Sequence, residues 1–124
     1  MTIDGDLTAI QDCISNRLDH AAIGDRRIAG VIGDAPSHYS KSPALWNAAF
    51  NHLRMKAIYF PFDVDTSRLR DFVSVLRESD RFMGINVTVP HKLRIMDFVD
   101  ELDVGAERVQ AVNTVARTSA GRLI

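Results

Sequence analysis

The stretch Ile28-Ala29-Gly30-Val31-Ile32-Gly33 decides the fold. It is a compact apolar run bounded by glycine, the signature of a strand buried on both faces. A polar loop follows it as far as Ser42, and Pro43 then opens a helix. The fixed φ of proline suits a first helical position and Ser42 can cap the free amides. Leu45, Trp46, Ala49, Phe50 and Leu53 supply that helix with a broad apolar face. Upstream, Leu7, Ile10, Ile14, Leu18 and Ala21 recur at steps of three and four, which predicts a helix over residues 7 to 21. Gly24 and Asp25 close it, and Cys13 packs within it.

Further along, residues 57 to 62 read as a second strand, and Leu69, Phe72, Val73 and Leu76 as a helical stripe. Residues 84 to 89 read as a third strand ended by Pro90, which cannot donate in a central ladder. Ile95, Met96, Phe98 and Val99 suit one short helix, and Leu102, Ala106 and Val109 another. A fourth strand over residues 112 to 117 turns through Ser119-Ala120-Gly121 into a fifth. This alternation specifies an α/β fold: a mostly parallel sheet covered by helices on both faces, with a C-terminal edge hairpin. Residues 1–27 form a helical extension and residues 28–124 the sheet domain.

Composition narrows the partners. The 124 residues are 46% hydrophobic, enough to bury a core without disulfide or metal. Fifteen basic against sixteen acidic side chains give a net charge of -1, which offers no field to nucleic acid or to an anionic membrane. The single cysteine, Cys13, excludes an internal disulfide and a Cys-based metal cluster. No apolar run approaches the roughly 18 residues of a spanning helix, and the N-terminus is acidic, so a cytoplasmic protein is expected. The expected partner is a small molecule or another protein, a second copy of this chain among the possibilities.

Two short runs concentrate the chemistry: Ser40-Lys41-Ser42-Pro43 and Asn86-Val87-Thr88-Val89-Pro90-His91-Lys92. In an extended segment Ser40 and Ser42 share a face, and the amides of the following helix point the same way, which suits a carboxylate. A plain helix cap explains Ser42 equally well. Asn86 and Thr88 also share a face, near the C-terminal end of a strand, where open α/β sheets bind ligands. Lys92, placed in the first turn of a helix, can return its ammonium over that edge and donate to a carbonyl oxygen that becomes an alkoxide. The competing reading is a surface lysine with its stem on apolar neighbours. Asn113, in Ala111-Val112-Asn113-Thr114, can donate to and accept from a hydroxyl, or simply satisfy a turn.

The order Ser-Lys-Ser-Pro, Asn-Val-Thr-Val-Pro-His-Lys, Ala-Val-Asn-Thr, Gly-Arg-Leu resembles the N-terminal substrate-binding domain of shikimate dehydrogenases, over residues 28 to 124. The resemblance implies a parent enzyme that reduces 3-dehydroshikimate to shikimate with NADPH, quinate and aminoshikimate being alternative substrates. It implies that Ser40 and Ser42 hold the carboxylate, that Asn86, Thr88 and Asn113 bind ring hydroxyls, and that Lys92 works at the reacting carbonyl as the catalytic residue. Tyr39 stands where the family carries histidine, with His38 one residue earlier, which implies a reset or longer loop. The family's Asn-Thr-Asp-Gly segment is not among these residues, and the seven glycines form no Gly-x-Gly-x-x-Gly pattern. A nucleotide-binding domain is therefore expected to be absent, with NADP a cofactor of the parent and not of this chain. A free-standing, non-catalytic binding domain is the alternative from another class.

Overall fold

A computed structural model describes residues 3–124. Four strands form one sheet: β1 (Arg27–Gly33), β2 (Ala57–Asp63), β3 (Phe82–Val87) and β4 (Thr114–Ala116). Their spatial order is β2-β1-β3-β4. β1 lies parallel to both β2 and β3, while β4 closes the far edge antiparallel to β3. The expected fold class holds, including the terminal hairpin. Its fifth strand is reduced to one bridge between Arg117 and Leu123. Among the described residues no helix is long and apolar enough to cross a membrane.

Helices α1 (Ile3–Asp12) and α5 (Leu69–Glu78) pack on one face of the sheet, and α4 (Ser42–His52) on the other. Short elements complete the chain: α2 (His20–Ile23), α3 (Pro36–Tyr39), α6 (Val104–Val109) and single 3-10 turns at Thr66–Arg68 and Arg94–Asp97. The stripe Leu69, Phe72, Val73 and Leu76 of α5 is fully buried, against Ile28 and Ile32 of β1, Phe62 of β2 and Phe82 of β3. Phe62 centres an aromatic group, with ring centroids 5.2 Å from Phe72 and 6.0 Å from Phe82. Gly30 makes room for it. A Cβ at Gly30 would fall 2.2 Å from Phe62 Cε2 and 2.4 Å from the Phe60 carbonyl oxygen.

The helix predicted over residues 7 to 21 is broken. α1 ends at Asp12, Cys13 is a buried turn residue, and helix resumes at α2, capped by Asp19. The cause lies in the outer edge of β2. The even residues of β2 bond toward β1, and Val64 N–H continues that ladder to Gly33 O at 2.9 Å. Odd residues consequently face outward, which is why Pro61 is tolerated there. Asn16 supplies the missing neighbour, donating from its side-chain amide to Pro61 O at 2.9 Å and accepting from Asp63 N–H at 2.8 Å. Ser15 N–H adds a bond to Asp63 O at 2.9 Å. Asn47 of α4 serves Tyr59 in the same way, at 2.8 and 2.9 Å. Two asparagine side chains thus pair and cover an edge that backbone would otherwise leave open. Asn16→Ala is expected to cost about 1–3 kcal/mol, because one part-buried donor and one acceptor lose their partner. Urea unfolding with an unchanged slope and a lower midpoint would show it.

Other expectations shift by smaller amounts. α4 buries only Phe50, against Val31, Ala57 and Tyr59 with Ala29 and Met83 beside them, and leaves Leu45, Trp46, Ala49 and Leu53 exposed. β3 begins and ends two residues earlier than predicted, so Thr88 lies just beyond it. Lys92 occupies a turn that precedes the 3-10 turn at Arg94–Asp97, not a helix. β4 is three residues long.

Candidate functional site

Parallel β1 and β3 release their C-terminal ends on one side of the sheet, and antiparallel β4 starts there. The loops carrying Ser40 and Ser42, Thr88 and Lys92, and Asn113 all meet this edge. The topology brings the six residues singled out by sequence to this edge, with Asn86 in one hollow and Lys92 and Asn113 in another.

Ser40 and Ser42 do not lie on one extended segment. Ser40 is extended, with φ -76 and ψ 133, but Lys41 is already helical and Ser42 is the first residue of α4. The serine that serves the helix start is Ser40, whose Oγ accepts from Ser42 N–H at 3.2 Å. Pro43 occupies the second helical position, one place later than its usual site at a helix start. The hydroxyl of Ser42 is left off the cap and lies near the Tyr59 phenol.

The loop before these serines, expected to be irregular, contains the single turn α3. Buried Asp63 at the end of β2 fixes it: the carboxylate accepts Ser37 N–H at 2.9 Å and also the Ser37 hydroxyl. Tyr39 donates from its hydroxyl to Asp34 Oδ1 at 3.0 Å and lies within reach of the Thr88 hydroxyl. Partial burial and the neighbouring Asp34 carboxylate push its phenol above the usual tyrosine range. Gly33 lets Thr88 close on β1, since a Cβ there would fall 2.4 Å from Thr88 Cγ2. Thr88 N–H continues the ladder to Ile32 O at 2.8 Å.

Asn86 points to the α4 face. Its Oδ1 accepts from Tyr59 Oη at 2.6 Å, and its Nδ2 donates to Thr114 Oγ1 at 3.1 Å. Tyr59, Asn86 and Thr114 therefore form a hydrogen-bonded series across the sheet. Asn86 and Thr114 line a largely apolar hollow of about 370 Å³ with Trp46, Tyr59 and Met83. Lys92 and Asn113 line a second cleft of about 400 Å³, with Thr114 on the boundary shared by both. Main-chain bonds hold that second pair: Val112 N–H to Lys92 O at 2.9 Å and Val87 N–H to Asn113 O at 2.8 Å. Lys92 itself is exposed, following a cis Val89–Pro90 peptide.

Sequence reasoning missed Tyr59, Thr114, Asp63 and Ser37. Tyr59 had one visible signal, a hydroxyl-bearing aromatic within the otherwise apolar β2. Asp63 had none, since its partner lies 26 positions away.

A mostly parallel sheet with hydroxyl, amide and ammonium groups at its C-terminal edge is the arrangement at which open α/β domains characteristically bind small molecules. Residues 31–115 match the family model described as shikimate dehydrogenase substrate binding domain, and the chain belongs to that family. The shikimate dehydrogenase (NADP(+)) of Lysinibacillus sphaericus is 46% identical over 94 residues, covering 76% of this chain and 33% of the relative. The crystal structure of the Listeria monocytogenes shikimate 5-dehydrogenase, in complex with shikimate and NAD, superposes with a TM-score of 0.75 at 34% identity. It covers 89% of this chain and 36% of that one. The ligand-free 5-ketofructose reductase of Gluconobacter gives a TM-score of 0.74 at 29% identity, covering 80% of this chain and 35% of the other. The chain spans about a third of the length of the curated relatives it matches.

A dinucleotide cradle does not fit the residues described. The turn after β1 leads into α3, a helix of four residues, and is closed by Asp34, Tyr39 and Asp63. α4, the longer helix that follows, starts at Ser42-Pro43, where the proline removes one of the amides a pyrophosphate would need.

Proposed function

We propose that this chain is the part of a shikimate dehydrogenase that binds shikimate and 3-dehydroshikimate. The observation that supports the reading most is the hydrogen-bonded series Tyr59–Asn86–Thr114, which joins two of the family motifs through side chains across the sheet. The carboxylate is received by Ser40, Ser42 and the first amides of α4, where the helix dipole favours a negative charge. Asn86, Thr88 and Asn113 meet the ring hydroxyls. Neutral donors and acceptors suit this task, since each loses less hydration than a charge would.

Lys92 faces the reacting carbon. Reduction delivers a hydride to the carbonyl carbon and a proton to its oxygen, and Lys92 is the cation beside that oxygen as it gains negative charge. NADP, named in the relatives, is assigned to the two thirds of their length outside the match. The reaction is cytoplasmic on this reading.

The test joins residues 1–124 to the remaining two thirds of the Lysinibacillus sphaericus relative. The chimera is expected to interconvert 3-dehydroshikimate and shikimate with NADP, and to prefer shikimate over quinate. Within it, Ser42→Ala is expected to raise KM about tenfold with turnover little changed, because the hydroxyl holds a group remote from the reaction. A chimera that folds but oxidises quinate faster than shikimate would replace the substrate assignment.

A further inference from the structure

Tyr59 lies on β2, two strands away from Asn86 on β3, and its ring crosses β1 above Ala29, its partner in register. The ring is firmly held. It stacks on Trp46 with centroids 5.6 Å apart and planes within 3°, and Asn47 fixes its backbone through two bonds. Its hydroxyl therefore arrives at Asn86 with little freedom.

We propose that Tyr59 is a positioning residue of this site: its hydroxyl fixes which way the Asn86 amide faces, so that Asn86 meets a ligand hydroxyl as a hydrogen-bond donor. The proposal rests on the shikimate-binding reading above. A carboxamide can present either its oxygen or its NH₂, and the two orientations recognise opposite partners. The Tyr59 phenol donates its proton to Asn86 Oδ1 at 2.6 Å. Nδ2 then faces Thr114 Oγ1 at 3.1 Å and has a second hydrogen for a ligand oxygen. Burial pushes the Tyr59 phenol up to about 12, so the donor stays protonated at any working pH.

Tyr59→Phe removes only the hydroxyl and keeps the ring on Trp46. In NMR titrations of this chain, Tyr59→Phe is expected to weaken shikimate about tenfold and leave cyclohex-1-ene-1-carboxylate, which lacks the ring hydroxyls, unaffected. Adding Tyr59→Phe to Asn86→Ala is expected to cost nothing further. Equal losses for both ligands, or shikimate affinity unchanged within twofold, would overturn the assignment. A folded wild-type chain that binds neither ligand would overturn the shikimate reading and the ligand half of this one. The Asn86 side-chain amide signals decide the orientation separately: they are expected to move on Tyr59→Phe in the free protein, and unmoved signals would overturn it with or without ligand binding.

Discussion

Lys92→Ala in the chimera with the Lysinibacillus sphaericus relative is expected to lower turnover about 10²- to 10⁴-fold while KM moves by less than a few-fold. Lys92 follows the C-terminal end of β3, is exposed on the cleft of about 400 Å³, and shares that cleft with Asn113. Its carbonyl, tied to Val112, anchors the turn that carries it. On the proposed assignment the ligand carboxylate and hydroxyls have other partners, so binding is expected to survive the loss of the ammonium. The developing alkoxide has no equivalent partner among the residues assigned to the site, and the transition state loses its neutralising charge. Lys92→Arg should rescue little, because a guanidinium does not release a proton near neutral pH. Steady-state kcat and KM for 3-dehydroshikimate check both variants. Turnover within threefold of the parent would remove Lys92 from the chemistry.

The second large effect is on stability. Phe62→Ala is expected to cost about 3–5 kcal/mol, a large share of the roughly 5–15 kcal/mol typical of a domain. Phe62 is fully buried and touches the rings of Phe60, Phe72 and Phe82. Its removal leaves a cavity that Gly30, with no side chain, cannot fill, and β1 and β2 are held in register around it. Chemical denaturation followed by circular dichroism should show a transition at much lower denaturant. A loss below 1 kcal/mol would mean that the aromatic group is not the centre of the core.

What the sequence made legible divides along physical lines. The α5 stripe and the β1 run are local patterns, and burial follows from periodicity alone. The break after Asp12 follows from a tertiary event, the docking of Asn16 on Pro61 and Asp63, some 45 residues distant. An apolar periodicity running through it gives no warning. The apolar face predicted for α4 has the right period, but only Phe50 of it is buried. At the candidate site, the residue types and their order singled out residues that the topology places at the C-terminal edge of the sheet. Local capping rules named the wrong serine because the helix begins at Ser42, one residue before its proline. Tyr59 and Asp63 stayed invisible because each acts on a residue brought near only by the fold.

The most direct test of the central claim is an NMR titration of the isotopically labelled 124-residue chain with shikimate. The account predicts saturable shifts confined to the C-terminal edge of the sheet, at Ser40, Ser42, Asn86, Thr88, Lys92 and Asn113. Saturable shifts centred elsewhere, or none at millimolar shikimate with the chain folded, would contradict it.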